Sequence, residues 1–193
     1  MRDIRICFVG DSFVNGAGDT EFLGWVGRVC TDAARKGHEL TSYNLGIRRN
    51  TSRDILKRWQ EIDARYQKRA DNRIVLSFGV NDTVIENGKP RVNNQVALEN
   101  IRQILSLVKE VTCLVIGPPP IADSMQNQSI QRYSQMLETE ANRLGIPFIE
   151  LYSALVKDTD YLQEVSENDQ AHPKSFGYEK MARIIINHPN WWF

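Results

Sequence analysis

Ser12, Asp169 and His172 are residues whose types could form one reactive unit. A serine hydroxyl is a poor nucleophile until a neighbouring base takes its proton, and neutral imidazole is the suitable base near pH 7. The imidazole needs an acceptor that fixes its tautomer and stabilises the cation it becomes. Asp169 stands three residues before His172, so a single turn-like loop can aim both side chains at one place. Attack on an ester creates an oxyanion, which needs donors positioned beforehand. The backbone N–H groups of Ser12 and Gly46 can supply two and the Asn81 side-chain amide a third, each such donor being worth about 10²–10³ in turnover. In isolation a serine after a strand is a turn or cap residue. Asn44-Leu45-Gly46, Gly79-Val80-Asn81-Asp82 and Asp169-Gln170-Ala171-His172-Pro173 change that reading.

These residues need a scaffold that brings distant segments together. Apolar runs predict strands over Ile4–Val9, Leu40–Leu45, Ile74–Phe78, Thr112–Ile116 and Pro147–Leu151. Several are near-continuous, as strands covered on both faces should be. Between them lie stripes of helical period. They run through Phe22, Val26, Val29, Cys30 and Ala33; through Ile55, Trp59, Ile62 and Tyr66; and through Ala97, Ile101, Ile104, Leu105 and Val108. A fourth joins Ile130, Tyr133, Leu137, Ala141 and Leu144, and a last helix carries Tyr178, Met181, Ala182 and Ile185. Alternating strands and helices imply an α/β fold with a doubly wound parallel five-stranded sheet in three layers. The flavodoxin-like order 2-1-3-4-5 centres strand one and delivers Ser12 to the carboxyl edge, where open α/β sheets bind ligands. The other motifs follow strand ends or the loop returning to that edge.

The chain has 193 residues and no net formal charge. That length favours a single domain over 1–193. Lys and Arg are scattered rather than massed in a basic stripe, which argues against a nucleic-acid partner. Cys7, Cys30 and Cys113 lie in apolar or helical patterns without a CxxC pair, as buried, reduced thiols do. Met1-Arg2-Asp3 leads straight into a strand, with no apolar leader. No run approaches the ~18 apolar residues of a membrane span. A cytoplasmic location without membrane insertion is expected. Scattered histidines and the absence of HExxH or cysteine clusters argue against a metal site, and no cofactor is expected. The closing Trp191-Trp192-Phe193 should tuck against the body.

Gly10-Asp11-Ser12, the glycine of Asn44-Leu45-Gly46, Gly79-x-Asn81-Asp82 and Asp169-x-x-His172 resemble, in order, the four blocks of the SGNH or GDSL-type hydrolase superfamily. Together they span nearly the whole chain. The resemblance implies a flavodoxin-like hydrolase fold and carboxyl-ester hydrolysis. It implies Ser12 as nucleophile, His172 as base, Asp169 as its partner, and Ser12, Gly46 and Asn81 as oxyanion donors. Two departures stand out: Phe13 where the family often has leucine, and Arg48-Arg49 where many members carry a small residue or glycine. Arg48, Arg49 or Arg53 could contact an anionic or polar part of a substrate; the plainer alternative is a solvated basic loop. Asp11 is expected to order the Ser12 loop, and Asp82 to hold loops together.

Rival readings fare worse. Gly16-Ala17-Gly18-Asp19-Thr20-Glu21 begins like a dinucleotide fingerprint but lacks its last glycine, and no phosphate loop is present. An α/β-hydrolase would need a GxSxG elbow well inside the chain. A non-catalytic flavodoxin-like binding module stays open as an alternative. Among hydrolases, the compact chain and polar loops favour a small-molecule substrate, a short-chain or polar acyl ester. Lysophospholipase, thioesterase and carbohydrate acetylesterase activities remain alternatives, because fold does not decide among them.

Overall fold

A computed structural model describes residues 3–193; Met1 and Arg2, read above as leading into the first strand, lie outside the described residues. In chain order the main elements are β1 (Ile4–Gly10), α1 (Ser12–Asn15), α2 (Gly24–Arg35), β2 (Leu40–Gly46), α3 (Ser52–Lys57), α4 (Trp59–Asp63) and β3 (Asp71–Ser77). A short hairpin of β4 (Ile85–Glu86) and β5 (Lys89–Pro90) follows, then α5 (Asn94–Val108), β6 (Thr112–Ile116), α6 (Ser124–Arg143), β7 (Phe148–Ile149), α7 (Tyr152–Leu155), α8 (Thr159–Glu167) and α9 (Ser175–Ile186).

The main sheet is parallel and runs β2-β1-β3-β6-β7. Counted by its own strands, that is the expected order 2-1-3-4-5. The strand period of two divides its side chains between two cores. Ile4, Ile6 and Phe8 of β1 face α2 and α9 with Trp25, Val29, Tyr178 and Met181. Cys7 and Val9 face the other way, with Ile55, Ile62, Ile101 and Leu105. Helices therefore cover both sides, and each fully buried aliphatic side chain contributes roughly 1.5–3 kcal/mol.

Several local expectations needed correction. Phe22 is 92% exposed and precedes α2 rather than sharing its buried stripe. The stripe over 55–66 is two short helices broken at Arg58, with Tyr66 beyond them. The last strand shrinks from Pro147–Leu151 to Phe148–Ile149. Ser12 opens a four-residue helix instead of lying in a loop. The hairpin and α8 were not anticipated. At the far end of the molecule Trp191 is buried, and the Arg73 guanidinium lies 5.1 Å and 5.3 Å from the Trp192 and Phe193 ring centres.

Register is what positions the site. Gly10 pairs with Gly46 on one side and with Ser77 on the other. Three chain segments thus leave the sheet at one level and carry Ser12, Arg48-Arg49 and Asn81 to a common edge.

Candidate active site

Asp11 makes the turn that presents Ser12. Its backbone is extended, and its Oδ1 accepts the Phe13 N–H at 3.0 Å, capping α1. Gly10 must be glycine, because a Cβ there would lie 1.9 Å from the Ser77 carbonyl oxygen. Ser12 Oγ then sits 2.7 Å from His172 Nε2.

The opposite wall is a turn following α8. Asp169 Oδ1 accepts the N–H groups of Ala171 and His172 at 3.1 Å and 2.8 Å, a side-chain-closed turn of the kind aspartate favours. Its other oxygen lies 2.7 Å from His172 Nδ1. The Gln170 N–H donates to Val165 O, and Gln170 O accepts from Ala122, which anchors the turn to α8 and to the loop after β6. Phe13 packs its ring 4.8 Å from the imidazole, so this departure from the family pattern is a direct contact with His172.

Electrostatics favour a neutral imidazole. Burial pushes the His172 pKa below the ordinary histidine value, outweighing the neighbouring Asp169, and the Arg48 cation lowers it further. Burial works against ionisation of Asp169, yet the hydrogen bonds from His172 and Ala171 prevail and its pKa falls below the usual carboxylate range. The arrangement therefore holds a deprotonated base beside a hydroxyl, with an anion behind it.

Beneath the hydroxyl lie two buried carboxylates. Asp11 Oδ2 accepts from Asn81 Nδ2 at 3.3 Å, leaving the second N–H of that amide for another acceptor. Burial raises the Asp11 pKa to about 7, against the hydrogen bond from Phe13, and the charge of Asp82 raises it further. Burial likewise raises Asp82 to about 6. Asp82 accepts from the Ser52 N–H at 2.9 Å, the Ser52 hydroxyl at 2.5 Å and the Tyr133 hydroxyl at 3.3 Å, tying β3's exit loop to α3 and α6.

Gly46 differs from its expected role. Its N–H donates to the Asn44 side-chain oxygen at 3.0 Å rather than standing free. Glycine is required there because a Cβ would lie 2.1 Å from the Asn15 backbone nitrogen. The basic residues also separate. Arg48 approaches within 4.0 Å of Asp169, Arg49 is paired with Glu86 at 2.8 Å, and Arg53 is exposed on α3.

Arg58 escaped the sequence reading. One of its guanidinium nitrogens donates to the carbonyls of Gly10 and Leu45, at 2.8 Å and 2.7 Å, joining β1 and β2 where they leave the sheet. A basic residue three positions after Ile55, beside an apolar stripe, was the available hint. Among the described residues no group of three or more His, Cys, Asp or Glu side chains could hold a metal ion. None of their helices is long and apolar enough to cross a membrane.

Comparisons with known proteins bear on the family and the fold. No curated protein matches the chain. A lipase/acylhydrolase from Enterococcus faecalis superposes with a TM-score of 0.76 at 25% identity, over 98% of this chain and 96% of its own. The acetylxylan esterase Axe2 from Geobacillus stearothermophilus gives 0.71 at 18% identity, over 97% and 96%. The α/β hydrolase LAE5 from the metagenome of Lake Arreo, Spain, gives 0.76 at 17% identity, over 93% and 92%. At those lower identities the likeness concerns the fold. The model of the GDSL-like lipase/acylhydrolase family matches residues 8–180. With most of its length matched from the first strand to the last helix, the chain belongs to the GDSL-like lipase/acylhydrolase family of ester-hydrolysing enzymes.

Proposed function

We propose that the chain, acting as one domain, is a serine esterase that cleaves short-chain or polar acyl esters through an acyl-enzyme. The observation that carries this reading is the unbroken relay from Ser12 Oγ to His172 Nε2 and from His172 Nδ1 to Asp169, 2.7 Å at each link. Ser12 Oγ attacks the carbonyl carbon while His172 takes its proton. The carbonyl electron pair moves onto oxygen, where the Ser12 N–H and the Asn81 amide stabilise it. Collapse expels the alcohol, protonated by His172. Water then repeats the sequence on the acyl-enzyme. The exposed polar rim of Asn15, Arg48 and Gln170 supports a small or polar substrate over bulk lipid. Acetylated sugars, the substrate class named for the Axe2 neighbour, fall within that range. Three free cysteines suit work in the reducing cytoplasm.

The test is covalent labelling by a fluorophosphonate beside a chain-length series of nitrophenyl acyl esters. Labelling confined to Ser12, with turnover falling from acetyl towards long chains, is expected. No labelling and no turnover would instead favour a binding module.

Asp169→Asn should lower kcat by no more than the roughly 10⁴-fold typical of such a change, and by less than Ser12→Ala does. The side chain is 43% exposed, so water partly replaces the lost anion. Arg48 has two readable effects. Because its charge lowers the His172 pKa, Arg48→Ala should move the acid limb of kcat/KM to higher pH. If Arg48 also contacts substrate, the same variant loses preference for anionic over neutral esters; an unchanged ratio removes that contact.

A further inference from the structure

Gly16-Ala17-Gly18-Asp19-Thr20-Glu21, which falls short of a dinucleotide fingerprint, touches both members of the reactive pair. At its start the N–H groups of Gly16 and Ala17 each donate to Ser12 O at 3.0 Å, closing α1 behind the nucleophile. Gly18 has φ +88° and lies against the histidine turn. A Cβ there would stand 2.3 Å from Asn168 Nδ2, 3.0 Å from Pro173 O and 3.2 Å from His172 Cβ. Asn168 Nδ2 itself donates to His172 O at 3.0 Å. From α9 the Tyr178 hydroxyl reaches across to Ala17 O and donates to it at 2.7 Å. Six residues of chain therefore run from the back of Ser12 to the back of His172.

Asp19 is the fixed point of this segment. Its side chain is fully buried, pairs with Arg28, and accepts the N–H groups of Glu21, Leu23 and Gly24 at 3.0 Å, 3.1 Å and 2.7 Å. Burial opposes its charge, but the hydrogen bonds from Arg28 and Ser175 prevail and hold its pKa well below the usual carboxylate range. The Ser175 hydroxyl donates to Asp19 Oδ1 at 2.6 Å. That hydroxyl has one proton, so its 2.6 Å contact with Thr20 Oγ1 has Thr20 as the donor. Ser175 stands three residues beyond His172 and opens α9. The helix start does not depend on the hydroxyl, because Glu164 Oε2 takes the N–H groups of Lys174 and Gly177 at 3.0 Å and 2.7 Å. Resting on the serine-esterase reading above, we propose that Ser175, held by Asp19, is a positioning residue that keeps His172 Nε2 at its 2.7 Å distance from Ser12 Oγ. Such a tie acts on the reaction through geometry, where a displacement of about 1 Å can cost about 10²-fold in rate.

Ser175→Ala cuts the tie and leaves Asp19 with Arg28 and its three backbone donors. It is expected to lower kcat about tenfold, with KM changed less than about twofold. Fluorophosphonate labelling of Ser12 should slow by the same factor, because it draws on the same serine and base. Thermal unfolding should stay within a few degrees of the parent, since Ser175 is only half-buried and α9 keeps its Glu164 cap. Ser175→Thr keeps the hydroxyl and should stay within about twofold of the parent kcat, whereas Ser175→Val, similar in shape but without the hydroxyl, should match Ser175→Ala. A parent-like kcat in Ser175→Ala, a loss confined to KM, or equal losses in Ser175→Thr and Ser175→Val would each overturn the proposal while leaving an active parent as an esterase. A parent enzyme that neither labels at Ser12 nor turns over esters removes the esterase reading itself, and this proposal with it.

Discussion

Ser12→Ala is expected to lower ester turnover by about 10⁵–10⁶-fold, as loss of a nucleophile does in serine hydrolases. Fluorophosphonate labelling should vanish with it. The side chain is buried and its oxygen's hydrogen bond is to His172 Nε2. Removing it deletes one hydrogen bond, an effect on stability of about 0.5–1.5 kcal/mol, and leaves the cap on α1 intact because Asp11 supplies it. Folding and activity therefore separate cleanly: thermal unfolding should stay within a few degrees while kcat collapses. The residual rate should remain above that in water, because the Asn81 amide and the backbone donors still polarise a bound ester. Turnover within tenfold of the parent would remove Ser12 as nucleophile.

The fold was legible because β1, β3 and β6 are apolar on both faces, a pattern that only sheets covered on both sides require. Strand boundaries were less so. β3 begins at Asp71, three residues before its apolar run, since Asp71, Asn72 and Arg73 pair with β1 through backbone groups and leave no mark in hydropathy. Phe22 was misplaced because periodicity extends a stripe past its end, whereas the loop before α2 is organised by Asp19, which accepts the N–H groups of Glu21, Leu23 and Gly24. The broken helix at Arg58 reflects a guanidinium drawn to carbonyls of β1 and β2, a tertiary demand that local propensity does not encode.

Within the site, Ser12, Asp169 and His172 could be paired from chemistry and order because each side chain has a distinctive role. The backbone of the loop after β2 was not legible in the same way. Gly46 looked suitable by type and strand position, but its N–H is committed to Asn44. The left-handed residue of the same loop is an arginine, and an arginine carries no sequence signal for positive φ. Glu86 was equally silent, being one acidic residue in a short hairpin whose partner lies 37 positions away.

His172→Ala should match Ser12→Ala in magnitude, about 10⁵–10⁶-fold, and the Ser12→Ala/His172→Ala double variant should fall little further, because the two act as a unit. The pH profile gives the more telling readout. In the parent, kcat/KM should rise with pH as the imidazole loses its proton and then level off. Burial and the Arg48 cation place that midpoint below the ordinary histidine value, so activity persists into mildly acidic solution. Without His172 the limb disappears: Ser12 must lose its proton to solvent, and the weak remaining rate should climb steadily with hydroxide. Asp11 and Asp82 also titrate near neutrality, at about 7 and about 6, and could imitate a limb through the Asn81 amide. The His172→Ala variant separates the two sources. Ionising Asp11 strengthens its grip on Asn81 without creating a base, so a limb that survived His172→Ala would belong to the carboxylates and would contradict the imidazole as base. Loss of the limb together with kcat assigns the proton to His172.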